Sequence, residues 1–136
     1  MRQEQPTTRD IEELLSFLPT LSEESFDPIR QWHGIEEQEE GYFTLPYADY
    51  DPLVDELSAV ASRECWRDHD YDPIEISGRL PQPDFIDKAD LARVKSILTY
   101  FVRGERFCDG HQGGMIREGY IQRLLIRLSD LHREAI

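Results

Sequence analysis

The side chains with the clearest chemical potential lie between residues 105 and 111, where the sequence reads Glu-Arg-Phe-Cys-Asp-Gly-His. A thiol or a carboxylate beside an imidazole can form a nucleophile and base pair, and two carboxylates with a histidine can form a general acid–base set. This chemistry defines a candidate functional corner of five residues: Glu105, Arg106, Cys108, Asp109 and His111.

The same stretch also has the composition of a structural turn. Phe107 is expected to fill the core, and Asp109 to cap the short helix predicted near 115–118. Four glycines could supply the positive φ angles that turns need: Gly104, Gly110, Gly113 and Gly114. Catalytic partners usually come from distant segments, and the sequence carries no nucleophile elbow, Walker, zinc-protease or dinucleotide motif. We therefore prefer the structural interpretation and assign no catalytic residue.

A zinc site is the alternative chemistry for the cysteines. Two Cys and two His could bind zinc tetrahedrally, and the candidate ligands are Cys65, His69, Cys108 and His111. The two pairs are far apart in the sequence, there is no closely spaced pair of cysteines, and Cys65 also fits the apolar face of a helix. We therefore predict no bound metal and no cofactor.

Length and charge limit the classes of function. The chain has 136 residues and a formal net charge of -13, with 28 acidic and 15 basic side chains. This length is typical of a single domain, here residues 1–136, and the charge disfavours nucleic-acid or anionic-membrane binding. No apolar run reaches the ~18 residues of a membrane helix. Two cysteines without a secretion signal favour a cytoplasmic protein with reduced thiols.

The charge is divided unevenly along the chain. Residues 1–90 carry 23 acidic and 7 basic side chains, whereas residues 91–136 carry 5 acidic and 8 basic ones. The acidic part also holds aromatic side chains that could pack on the helices or contact a partner: Trp32, Tyr42, Phe43, Tyr47 and Tyr50. The basic part could instead contact nucleic acid through Arg103, Arg106, Arg117, Arg123 and Arg127.

Four helices must position these residues. Apolar side chains at helical spacing predict helices over about 8–18, 51–66, 87–103 and 120–135. Their predicted N-caps include Thr7 or Thr8, Asp51 and Asp87, and Gly104 is expected to stop the third helix in the left-handed conformation.

Two further segments complete the predicted fold. Residues 29–35 and 41–47 are expected to pair as a hairpin around the acidic run 36–40, and residues 67–83 to form an extended connection. The fold class is α+β, mainly helical, with about four helices and one short antiparallel β-hairpin around a single core.

The last third of the chain resembles a family of small acidic bacterial proteins of unknown function. The resemblance is strongest over residues 85–131 and is carried by the segments Phe85–Asp87, Tyr100–Gly110, Gly119–Ile121 and Leu124–Leu128. It implies bacterial origin and a shared fold, and it supplies no catalytic residue.

The sequence therefore favours a non-enzymatic interaction or regulatory module that binds another protein through an acidic or aromatic surface. Nucleic-acid binding by the C-terminal helices and a zinc or hydrolytic site around Cys108 and His111 are the alternatives.

Overall fold

The computed structural model describes residues 4–33 and 47–135, which are mainly helical with one two-stranded antiparallel sheet. In chain order the elements are α1 (Thr8–Leu15), α2 (Leu18–Leu21), β1 (Ile29–His33), β2 (Tyr47–Tyr50), α3 (Pro52–Ala61), a 3-10 turn (Glu64–Trp66), α4 (Pro73–Arg79), α5 (Pro83–Asp87), α6 (Leu91–Gly104), α7 (His111–Arg117) and α8 (Tyr120–Glu134). The α+β, mainly helical class is confirmed. The expected number of about four helices is wrong, because short helices lie between the long ones.

The longer helices α1, α3, α6 and α8 correspond to the four predicted ones. Thr7 caps α1 in a capping box with Asp10, and Asp51 caps α3 by accepting a hydrogen bond from the Leu53 N–H. The N-cap of α6 is Asp90 and not Asp87, which is the last residue of α5. Helix α3 ends at Ala61, earlier than predicted, and the chain continues into the 3-10 turn.

The connection over residues 67–83 is not extended, as the sequence suggested, because it contains α4 and the start of α5. Pro73 and Pro83 each occupy the first turn of a short helix, and Asp72 caps α4 through the Ile74 and Glu75 N–H groups. Proline is tolerated at that position because the first N–H of a helix has no intrahelical partner. Pro19 has the same role in α2, where it was expected to end a helix.

The two strands form an antiparallel ribbon in which Trp32 pairs with Ala48 and His33 with Tyr47. The first predicted strand is confirmed from residue 29. The described part of the second strand is Tyr47–Tyr50. Residues 41–46 of the predicted strand and the acidic run 36–40 fall outside the described residues. An irregularity of register lies between Ile29 and Gln31, so that Ile29 pairs with Tyr50 at the end nearest the helices.

Buried apolar side chains from the helices and the 3-10 turn form one core cluster. Trp66 and Phe101 are its largest fully buried members, and Val94, Leu98, Leu124 and Leu128 line the faces that α6 and α8 bury. Phe107 does not fill the core, as predicted, but is 86% exposed. In the part of the chain that the structure describes, every helix is too short or too polar to cross a membrane.

Candidate functional site

The candidate corner joins α6 to α7 through a tight turn. Helix α6 continues through Gly104 in the right-handed conformation, and the N–H groups of Phe107 and Cys108 both donate to the Gly104 carbonyl. Among the described residues only Gly110 and Gly119 have positive φ. The left-handed stop expected at Gly104, and the positive φ expected at Gly113 and Gly114, are therefore wrong.

The Glu105 carboxylate is the hydrogen-bonding centre of this corner. One oxygen accepts the Gly110 N–H at 2.9 Å, and the other accepts the Gln112 N–H at 2.9 Å and the Tyr50 hydroxyl at 2.6 Å. The first N–H groups of a helix lack intrahelical partners and carry partial positive charge. Glu105 thus caps α7 from outside, whereas the expected cap, Asp109, is exposed and the N-cap position is held by Gly110.

Tyr50 connects the corner to the sheet. Its hydroxyl donates to Glu105 and accepts the Gly113 N–H at 3.2 Å. Burial and the neighbouring carboxylate raise the pKa of Tyr50 well above its ordinary value, so the hydroxyl keeps its proton. A Cβ at Gly113 would lie only 2.7 Å from the Ile29 side chain, so this glycine permits the close approach of α7 and β1.

His111 is held between α6 and α7. Its Nε2 lies 3.0 Å from the Tyr100 carbonyl oxygen, and its ring meets the Tyr100 ring edge-on with centroids 4.6 Å apart. The ring occupies the space where a side chain at Gly104 would begin. Burial lowers the pKa of His111 below its ordinary value, so the neutral imidazole is favoured.

A side-chain hydrogen bond also joins the corner to α3. Gln112 is buried, and its Nε2 donates to the Ser58 Oγ at 2.9 Å. The ring of Trp32 in β1 packs closely on Gly110, so that a Cβ at this position would lie only 2.5 Å from the ring. The polar side chains of the corner thus connect elements that are distant in sequence.

The Cys108 side chain is a free thiol exposed to solvent. Its Sγ lies 3.9 Å from the Asp109 carbonyl, the one hydrogen-bonding contact it makes with the described residues. Activation of a thiol requires a nearby base or cation, and His111 is bonded to Tyr100 instead. Of the candidate residues Glu105, Arg106, Cys108, Asp109 and His111, only Glu105 and His111 form side-chain hydrogen bonds to other segments of the described chain, and their partners differ.

The four candidate zinc ligands do not come together. Cys65 is buried in the core, where burial raises its thiol pKa to about 11, and His69 pairs with Glu64 at 2.6 Å. Over residues 4–33 and 47–135, no group of three or more His, Cys, Asp or Glu side chains is placed to hold a metal ion.

The five arginines considered for nucleic-acid contact differ in their partners. Arg117 pairs with Asp27 at 2.8 Å and Arg123 with Asp87 at 3.1 Å, while Arg127 donates to the Ala89 carbonyl at 2.8 Å. Arg103 and Arg106 make no ion pair with the described residues. Three of the five arginines thus contact groups of the chain itself, and the other two do not pair with a described carboxylate.

Exposed aromatic side chains surround the corner. Phe107 is 86% exposed, Trp32 covers Gly110 with 37% of its surface accessible, and Tyr47 is 45% exposed and stacked on His33 at 5.1 Å. We call Trp32 and Phe107 the aromatic surface; Tyr47 lies on the opposite face of the ribbon from Trp32, because it pairs with His33. For Trp32 and Tyr47 the sequence leaves open packing on the helices or contact with a partner, whereas for Phe107 it predicts a core residue and is wrong.

Two features of the site had only a weak signal in the sequence. Arg67, Arg103 and Arg106 line one polar cavity between α3 and α6. The spacing of Arg103 and Arg106 indicates a shared helix face, but nothing in the sequence places Arg67 beside them. The contact between Tyr50 and Glu105 joins residues that are 55 positions apart, a pairing that periodicity cannot predict.

Comparison with known proteins gives a family without an assigned activity. No curated protein and no solved structure matches the chain. One family model does, described as a family of unknown function, and it matches residues 6–134. The resemblance expected from the last third of the sequence thus extends over nearly the whole chain, and the protein belongs to this family of unknown function, DUF6508.

Proposed function

We propose that the chain is a non-enzymatic interaction module that binds a basic partner protein through its aromatic surface. The observation that carries the proposal is the position of Phe107, which is 86% exposed at the tip of a turn whose backbone is fixed. The N–H groups of Phe107 and Cys108 donate to the Gly104 carbonyl at 3.1 and 3.0 Å. The ring is therefore presented to solvent by an ordered turn.

The surroundings of Phe107 support a role in binding. Single exposed apolar residues are common, but adjacent exposed aromatic rings are typical of contact surfaces. Trp32 lies over Gly110 in the same turn, and tryptophan and tyrosine are enriched at the centres of protein interfaces. Trp32 thus packs against the turn that carries Phe107, and both rings are accessible to solvent.

The charge around this surface favours a basic partner. Asp109 is exposed beside Phe107, and 56% of the Asp49 side chain is accessible on the ribbon. In the sequence, four glutamates of the run 36–40 also fall between the two strands. Acidic groups at the rim of an interface speed association with a basic protein and select against acidic ones.

We also propose a cytoplasmic location. Both cysteines are free, and Cys108 is exposed to solvent. An unpaired exposed thiol is more common in a reducing compartment than in an oxidising one.

Capture of partners by variants of matched exposure tests the function. The tagged protein, Phe107→Ser and Ile74→Ser are used in parallel, because Phe107 and Ile74 are 86% and 85% exposed but Ile74 lies on α4. We expect a stoichiometric partner with a basic sequence to be retained by the unmodified protein and by Ile74→Ser, and lost by Phe107→Ser. Retention of the same partner by Phe107→Ser would contradict the proposal.

A further inference from the structure

A polar cavity of about 340 Å³ lies between the end of α3 and the C-terminal half of α6, away from the hydrogen bonds of the corner. Its lining comprises Ala61, Ser62, Arg67, Thr99, Val102, Arg103 and Arg106. We name it the arginine cavity and propose that it binds the phosphoryl group of a small phosphorylated ligand.

The backbone brings the three guanidinium groups to one place. Thr99, Val102, Arg103 and Arg106 are three or four residues apart, so they follow one face of α6 and its continuation, and the Arg106 N–H donates to the Arg103 carbonyl at 3.1 Å. Arg67 reaches the cavity from the segment after the 3-10 turn. Its Nη2 donates to the Ser62 carbonyl at 3.2 Å, which fixes the direction of the side chain.

Most of the other basic side chains are paired within the chain, which distinguishes them from Arg103 and Arg106 in this cavity. Within residues 4–33 and 47–135, every Lys and Arg except Arg9, Arg103 and Arg106 makes an ion pair or donates a side-chain hydrogen bond to the chain. Two of these three arginines line the same cavity. In a chain with 28 acidic and 15 basic side chains, acidic partners are abundant, so this position favours an external anion.

The groups around the cavity leave an excess of positive charge. Glu64 lies 3.4 Å from Arg67 but also bonds His69 at 2.6 Å, and the Arg103 guanidinium lies 5.8 Å from the centre of the Tyr71 ring. The Asp68 carboxylate accepts the hydroxyl of Ser96. Repulsion between neighbouring guanidinium groups is relieved when an anion binds between them.

The hydroxyl groups of the cavity are already used by the protein. Thr99 donates to the Lys95 carbonyl at 2.8 Å and accepts the Asp68 N–H at 2.9 Å, while Ser62 donates to the Ala59 carbonyl at 2.8 Å. The donors that the described residues leave without an ion pair are therefore the guanidinium groups of Arg103 and Arg106.

Arginine chemistry and the size of the cavity identify the class of ligand. The planar guanidinium fork matches the oxygens of a phosphoryl group, and several arginines suit its multiple negative charge. The volume falls in the ~300–1,000 Å³ range of small-molecule sites. A cavity of this size admits a terminal phosphoryl group, whereas a duplex would require a broad basic face.

Binding is tested on the full chain by two-dimensional NMR titration at constant ionic strength in buffer free of phosphate and sulfate. Inorganic phosphate and pyrophosphate are the probes, citrate is the carboxylate comparison, and a short DNA duplex tests backbone binding. The variants are Arg106→Gln and Arg103→Gln, with Arg9→Gln as the matched control. Arg9 and Arg106 are both exposed and make no ion pair with the described residues, so neither change should impair folding.

We expect saturable shifts, fitted by one site, for pyrophosphate around residues 61–67 and 99–106. Arg106→Gln and Arg103→Gln should each weaken binding about tenfold or more, while Arg9→Gln leaves it unchanged. The absence of saturable shifts, an equal loss in Arg9→Gln, equally tight binding of citrate, or tighter binding of the duplex at these residues would each overturn the proposal. Arg103 lies in α6 and is not part of the aromatic surface, whereas Arg106 adjoins Phe107. Arg103→Gln should therefore still capture the partner protein, so failure of one proposal is distinguishable from failure of the other.

Discussion

The Tyr50 hydroxyl donates a 2.6 Å hydrogen bond to the Glu105 carboxylate, joining the end of β2 to the turn between α6 and α7. Through the same carboxylate, the Gly110 and Gln112 N–H groups are satisfied at the start of α7. The Glu105 carboxylate thus joins β2, the turn after α6 and the start of α7 by hydrogen bonds. This arrangement explains how the turn that carries Phe107 is kept in one conformation.

Removing the Tyr50 hydroxyl should destabilise the protein. Tyr50→Phe leaves the Gly113 N–H without its acceptor and Glu105 without its shortest hydrogen bond, so we expect a loss of about 1–3 kcal/mol in the free energy of unfolding. Urea denaturation measures the change. Tyr47→Phe is the matched control, because Tyr47 is exposed on the same strand and its hydroxyl has no hydrogen bond with the described residues. Equal losses in the two variants would contradict the role assigned to Tyr50.

Replacement of Glu105 should show that it acts as a cap. Glu105→Ala removes the acceptor of two helix N–H groups and of Tyr50, and we expect it to lower the free energy of unfolding by about 1–3 kcal/mol. Glu105→Gln keeps one carbonyl acceptor and should lose less. Glu118→Ala, at an exposed position after α7, should change stability little. A Glu105→Ala protein as stable as the parent would exclude the capping role.

Gly104 should be intolerant of a side chain, although it is helical. A methyl group there would overlap the His111 ring, so Gly104→Ala should cost about 1–3 kcal/mol. Gly78→Ala is the control, because Gly78 lies in α4 with open space around it, and this change should stabilise by about 0.4–1 kcal/mol. The same thermal denaturation series compares both. If Gly104→Ala also stabilised the protein, the close packing of His111 would be disproved.

Stability should fall as His111 becomes protonated. Burial lowers the pKa of folded His111 below the unfolded value of 6.5, so the unfolded chain binds a proton more readily. The free energy of unfolding should therefore be constant above about pH 7 and decrease as the pH falls through roughly 6.5 toward 5.

Denaturation at a series of pH values measures the change in the free energy of unfolding, and NMR titration measures the pKa of His111 in the folded protein. The decrease should be largely absent in His111→Asn and present in His132→Asn. A His111 pKa at or above its ordinary value in the folded protein would contradict the prediction.

The two thiols should differ strongly in reactivity. Cys108 is exposed, whereas Cys65 is buried with a pKa raised to about 11, so only Cys108 should react rapidly with a thiol reagent in the native protein. Mass spectrometry after brief labelling at pH 8 should find one modified cysteine. The Cys108→Ser variant should react only after unfolding. Rapid modification of Cys65 in the folded protein would place that residue outside the core.

The sequence predicts those parts of the fold that depend on local pattern. The Thr7 and Asp10 capping box, the Asp51 cap and the apolar faces of α6 and α8 follow from neighbouring residues, and all are present. The helices beginning at Pro73 and Pro83 were missed, because proline was taken to break structure although it also starts helices. They are also too short to show a clear apolar period.

The site was harder to predict because its function depends on distant contacts. The sequence draws attention to Glu105 and His111, but it does not show their hydrogen bonds with Tyr50 and Tyr100, which hold the corner together. Whether Phe107 is buried or exposed depends on where the turn lies relative to the core, which local sequence does not specify. The approach of Arg67 to α6 is determined in the same way by tertiary packing.

The most direct measurement of the central claim is the affinity of the captured partner for Phe107→Ser and for Ile74→Ser, determined by calorimetric titration at two salt concentrations. If the ordered corner serves to present an aromatic contact surface, Phe107→Ser should weaken binding about tenfold or more, Ile74→Ser should bind as the parent does, and affinity should decrease with salt. Equal affinities for the two variants, with no dependence on salt, would contradict both the surface and the basic partner assigned to it.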